Sequence, residues 1–177
     1  MIERIIISIL TAMLPICSKF PNGSTIDFEY AKQLIELREH FRIICMVESG
    51  GNALAVHKSG LDVGIAQIRP ILVKDVNRVA RTNYSLSDRF CPEKSFEMFR
   101  IYCEHYGAQT LEDRALLWHI GATRWKEKKE SQIAKNYMRK VKYYRNVVGK
   151  NANLSNIMPM PVKLSYVQGN NVIVFGK

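Results

Sequence analysis

Ile43-Ile44-Cys45-Met46-Val47-Glu48-Ser49-Gly50-Gly51 places a carboxylic acid at the end of an apolar run and then stops on a glycine pair. Upstream, Phe28, Ala31, Leu34, Ile35, Leu37, Phe41, Ile44 and Val47 recur at helical spacing, which predicts a helix from about Asp27. The apolar positions ahead of Glu48 put its carboxyl at the edge of a core, where loss of water disfavours the charged form and raises the pKa. A general acid working at neutral pH needs that shift. The plain alternative is a solvated glutamate at a helix end. A Gly-containing loop follows, and Gly64-Ile65-Ala66-Gln67-Ile68-Arg69-Pro70 reads as a turn leading into a helix over about Ile71–Ala80. Gly64 allows a close backbone approach to a ligand, and Gln67 offers both a donor and an acceptor.

Working outward, helical patterns cover about Pro92–Tyr106, Leu111–Ile120 and Glu127–Val148, and no strand pattern interrupts them. The stripe Phe96, Phe99, Ile101 and Tyr102 is expected in the core. After Met158-Pro159-Met160-Pro161, two short β-type runs, Val162–Val167 and Asn171–Phe175, flank Gln168-Gly169-Asn170 and predict a hairpin. The fold class expected is mainly α: a helical domain over residues 24–150, with residues 151–177 as a tail that carries a short β-hairpin. Residues 1–18 contain a thirteen-residue, mostly apolar stretch from Ile5 to Cys17. It reads as an export signal or N-terminal anchor, with a short helix packed on the core as the alternative.

The 177 residues are 47% hydrophobic and 24% charged, ordinary globular proportions that exclude a disordered or fibrous chain. No apolar run reaches about 18 residues, which excludes a polytopic membrane protein. The net charge of +10 is concentrated: Arg124–Lys150 holds ten Lys or Arg against Glu127 and Glu130, a local +8. A solvated helix face is the default for such a segment, and an anionic partner the sharper expectation. Cys17, Cys45, Cys91 and Cys103 lack metal-ligand spacing, so no metal or organic cofactor is implied. Cys91 and Cys103 bracket a helix about 18 Å long, beyond disulfide reach.

Glu48-Ser49 and the Gly64–Pro70 turn together resemble the lysozyme-like lytic transglycosylases of the soluble (SLT) type, whose pattern is Glu-Ser, then a Gly-Leu-Met-Gln-like turn leading to Pro. The resemblance continues in order over roughly residues 28–146. Leu86–Tyr106 is similar to the segment forming the family's next helix. Leu117-Trp118-His119-Ile120-Gly121 falls where the family reads Ala-Tyr-Asn-Ala-Gly, with His119 at the Asn position. Tyr137-Met138-Arg139-Lys140-Val141-Lys142-Tyr143-Tyr144 is similar to Tyr-Val-x-x-Val-x-x-Tyr. The resemblance implies a goose-type/SLT lysozyme-like helical fold and cleavage of the MurNAc-β-1,4-GlcNAc bond of peptidoglycan with formation of a 1,6-anhydro ring. It further implies Glu48 as the single general acid/base, Tyr137 as its hydrogen-bonding partner, and Ser49, Gly64, Gln67 and His119 as substrate-binding.

Each residue keeps an ordinary alternative: a capping hydroxyl for Ser49, core for Tyr137, Trp118 and Tyr144, a satisfied helix histidine for His119. The rival chemistry is a goose-type lysozyme-like hydrolase, with Glu48 as acid and Asp62 as base, or less well Asp75, since hydrolysis with inversion needs a second carboxylate ~6.5–9.5 Å away. A non-catalytic peptidoglycan-binding protein and a nucleic-acid-binding protein rank lower, because no recognition module accompanies the basic segment. The expected partner is peptidoglycan glycan strands, in the periplasm or cell envelope, in a conjugation or secretion machine, or in a phage particle.

Overall fold

The computed structural model describes residues 28–150 and the strand residues 164–168 and 171–175. The expectations for residues 1–18, for Cys17 and for the Pro-rich break before the hairpin lie outside the described residues. Two compact units divide the chain, Met1–Leu34 and Ile35–Lys177. The first helix, α1 (Phe28–Ser49), begins in the smaller unit, and every later element belongs to the larger. The order is α1, α2 (Pro70–Ala80), a 3₁₀ helix (Leu86–Phe90), α3 (Pro92–Tyr106), α4 (Leu111–Ile120), α5 (Gln132–Lys150) and the strands β1 (Leu164–Gln168) and β2 (Asn171–Phe175). The fold is mainly helical, as expected. No described helix is long and apolar enough to cross a membrane.

Local chemistry explains the boundaries. Pro70 and Pro92 occupy the first turns of α2 and α3, where a missing N–H costs nothing. Thr110 caps α4 by accepting from the Asp113 amide at 3.1 Å. The 3₁₀ helix opens with a reciprocal cap between Ser85 and Asp88. At five residues it is too short for periodicity to reveal. The last helix starts at Gln132 rather than about Glu127. Trp125 is buried, residues 122–130 run in turns, and the Ser131 hydroxyl accepts from the Ala134 amide at 3.2 Å, so the helix begins after its cap.

The core joins α1, α3 and α4 through aromatic edges. Phe41 meets Phe96 and Phe99 at 5.5 and 5.1 Å between centroids, and Phe99 meets Trp118 edge-on at 5.2 Å. Of the expected stripe, Phe96, Phe99 and Tyr102 are buried; Ile101 is half-buried, and Met98 and Cys103 complete the buried face. On α5, Ala134, Tyr137 and Val141 are buried at helical spacing. Cys45, Cys91 and Cys103 are free thiols. The two strands pair antiparallel, Leu164 opposite Phe175 and Gln168 opposite Asn171.

Candidate active site

Gly50 adopts φ +65°, and the Gly50 amide turns back to Met46 O at 3.2 Å, closing α1 just after Glu48 and Ser49. The half-buried Glu48 receives a hydrogen bond from the Tyr137 hydroxyl, 2.6 Å to Oε1, which brings together residues 89 apart in the chain. Burial pushes the Glu48 carboxyl above the usual carboxylate range. The Tyr137 bond pulls it down, the Asp62 charge adds to the rise, and Lys140 and Arg69 oppose it. The Tyr137 phenol is itself pushed well up, chiefly by burial and then by Glu48, so it stays a protonated donor.

Tied to the end of α1 through Ser49 is a tight turn. Val63 and Ile68 form an antiparallel bridge, and Gly64 to Gln67 make its tip. The Ile65 and Ala66 side chains are buried, while their carbonyls are held from outside the turn. The Ser49 hydroxyl donates to Ile65 O at 2.6 Å, and the Trp118 indole N–H donates to Ala66 O at 2.9 Å. The buried Arg89 donates from Nη1 to Leu61 O and Ile68 O, both at 3.0 Å, and from Nε to Leu86 O at 2.7 Å. Burial lowers the Arg89 pKa. Three carbonyl acceptors supply hydrogen bonds that water would otherwise give the guanidinium.

The glycine at 64 has a specific cause. Its φ is +77°, and a Cβ there would lie 1.8 Å from Arg89 O and 2.8 Å from Arg89 C. The close approach that Gly64 permits in this fold is thus to the backbone of the 3₁₀ helix. Gln67, also at positive φ (+50°), donates from Nε2 to Gly64 O at 2.9 Å and to Ala55 O at 3.3 Å. Both amide protons brace the turn, and Oε1 makes no bond among the described residues. A non-glycine residue held in this conformation stores strain of about 1 kcal/mol or more.

His119 lies flat on Tyr137, centroids 4.0 Å apart and planes 8° from parallel, and the residue is exposed to solvent. Burial lowers its pKa, and the charges of Lys140 and Arg69 lower it further. Asp62 is ion-paired with Arg69, Nε to Oδ1 2.5 Å. Asp75 is taken up elsewhere, accepting from Tyr106 Oη at 2.6 Å and pairing with Arg78 at 2.5 Å. Burial raises its pKa, but those bonds outweigh it and hold the carboxyl below the usual range.

Glu48, Tyr137 and His119 thus form one contiguous row. Ser49 joins α1 to the turn beside it, Gly64 packs on the backbone of the 3₁₀ helix, and Gln67 bonds within the turn and to Ala55. Trp118 and Arg89, expected as core or not singled out, are two of the groups that hold the turn. An aromatic in the Leu117–Gly121 motif was the signal for Trp118; a lone arginine within a five-residue helix gives none. A protein-family model described as Transglycosylase SLT domain matches residues 28–138, a span that holds Glu48, the turn, His119 and Tyr137. No curated protein matches the chain, and no solved structure does.

Proposed function

Because the chain belongs to the transglycosylase SLT domain family, a family of lytic transglycosylases acting on peptidoglycan, we propose that it cleaves the MurNAc-β-1,4-GlcNAc bond with Glu48 as the only acid/base. The observation that carries this reading is the 2.6 Å bond from Tyr137 to a half-buried carboxyl whose pKa burial raises. Such a carboxyl keeps a protonated fraction nearer neutral pH, and the phenol fixes one oxygen so that the other is free to work.

The steps proposed are those the family resemblance implies, with Glu48 in the acid/base role. Protonated Glu48 gives its proton to the glycosidic oxygen as the bond to C1 breaks, and the substrate's N-acetyl group or ring stabilises the developing cation. The resulting carboxylate, steadied by Tyr137, takes the proton of the C6 hydroxyl as O6 closes on C1. The products are a 1,6-anhydro sugar and a free GlcNAc hydroxyl, with no water consumed and Glu48 reprotonated. Gln67 Oε1 and the exposed His119 are the groups left to contact sugar. Asp62, paired with Arg69, would have to give up that partner to serve as a base, which favours the single-carboxylate route.

A substrate outside the cytoplasmic membrane has to be reached, either through the export signal read in residues 1–18 or by delivery in a phage particle or secretion machine. Mass spectrometry of peptidoglycan digested by wild type and by Glu48→Gln tests the reading. Anhydro-muropeptides from the wild type and none from Glu48→Gln support it. Reducing-end products instead would transfer the reaction to hydrolysis and make Asp62 the next residue to change. No cleavage by a folded wild-type protein would leave a binding role.

A further inference from the structure

Where the family pattern reads Asn this chain carries His119, which lies against Tyr137, the side chain whose hydroxyl bonds to Glu48. Ring planes 8° apart at 4.0 Å leave no room for water between the imidazole and the Tyr137 phenol. The phenol's hydroxyl meets Glu48 Oε1 at 2.6 Å. Imidazole, phenol and carboxyl therefore form a continuous path from solvent to the candidate acid, with α4, α5 and α1 each supplying one member. We propose that His119 is a positioning residue for Glu48, acting through the Tyr137 ring so that the charge of a solvent-facing imidazole is felt by the carboxyl. The inference rests on the assignment of Glu48 as acid/base for its catalytic meaning, and on the stack alone for the coupling itself.

Neutral imidazole packs on the phenol as a flat apolar surface and restrains its rotamer. Imidazolium, a cation over the same ring, is attracted to the ring's electron-rich face. It draws electron density from the phenol, strengthens the O–H as a donor and favours carboxylate over carboxylic acid at Glu48. Lys140 on α5 and Arg69 ahead of α2 are the other charges that act on the imidazole, and both oppose its protonation. Asp62 pairs with Arg69 and so moderates that charge. On this proposal an ionised Glu48 favours the imidazolium through the same ring. His119 is held below its ordinary pKa and Glu48 above its own, and the route by which one would act on the other is the stack on Tyr137 and its hydroxyl bond to Glu48.

Coupling of this kind is reciprocal. The test is an NMR titration of the full chain following the Glu48 side-chain carboxyl carbon and the His119 ring, in wild type, His119→Phe and Glu48→Gln. Phenylalanine keeps a flat ring on Tyr137 and removes the charge. In His119→Phe the Glu48 midpoint should rise by on the order of half a pH unit. In Glu48→Gln the His119 midpoint should fall by the same amount. The basic limb of the pH–activity profile should move up with Glu48 in His119→Phe. If His119→Phe fails to fold, His119→Asn carries the same measurement with the family's own residue. Superimposable Glu48 curves with and without the histidine would overturn the inference. A wild type that cuts no peptidoglycan while the reciprocal shifts persist would overturn the catalytic reading and leave the coupling standing.

Discussion

At Glu48 two opposed influences meet, burial that favours the neutral acid and a phenol that favours the anion. Tyr137→Phe removes the second without opening a cavity. The Glu48 pKa should rise further, cleavage should fall roughly 10- to 100-fold through lost orientation, and the basic limb of the activity profile should shift upward, as rates of anhydro-muropeptide release across pH would show. The same burial has a stability consequence. A carboxyl whose folded pKa is raised contributes stability below its unfolded pKa that is lost as pH rises through the folded value. Glu48→Gln keeps an acceptor for Tyr137 and cannot ionise. By thermal denaturation it should melt a few degrees above wild type near pH ~7.5 and level with it near pH ~4. Gly64→Ala is the severe case: left-handed backbone and a Cβ inside contact distance of Arg89 O predict a loss of about 3 kcal/mol or more, read in a urea melt. The Glu48–Tyr137 contact was legible because the motifs that carry the two residues are local and ordered along the chain. The role of Gly64 was not, since its neighbour Arg89 lies 25 positions away and no spacing signals that contact.

Elements bring these residues together, and the Gly64–Gln67 turn is where three of them converge. Ser49 reaches it from α1, Trp118 from α4 and Arg89 from the 3₁₀ helix. Trp118→Phe removes the indole donor and one of the two fused rings that pack against Phe99 and Tyr102. It should cost about 2 kcal/mol or more in stability and lower kcat more than it raises KM, which steady-state kinetics on isolated glycan strands would separate. Helix limits followed the sequence where a proline or a capping hydroxyl marks them, as at Pro92 and Thr110. They departed from it at α5, where residues 127–130, expected in the helix, run in turns next to buried Trp125, a tertiary preference that periodicity does not register. The Cys91–Cys103 separation was readable from helical rise alone, and both thiols are free.

For the chain as a whole, charge is the uneven property. Arg139, Lys142 and Arg145 are exposed on α5, away from its buried face of Ala134, Tyr137 and Val141. Replacing all three with Gln should raise KM for peptidoglycan bearing stem-peptide carboxylates severalfold, leave kcat unchanged, and flatten the dependence of rate on salt between about 50 and 500 mM, where the Debye length shrinks to a few ångströms. An unaltered salt response would assign those cations to solubility alone. The way the turn is fastened bears on a different matter, how this sequence can drift. Ser49, Trp118 and Arg89 all grip carbonyl oxygens, an atom every amino acid carries, whereas Ile65 and Ile68 answer only to the volume around them. A saturation library across 49–119 should therefore divide unequally: fasteners accepting almost nothing, and fastened positions exchanging one aliphatic for another with little loss. Neighbouring lineages can then share the loop's shape while spelling it differently, as Ile65-Ala66 already does where the family pattern has Leu-Met.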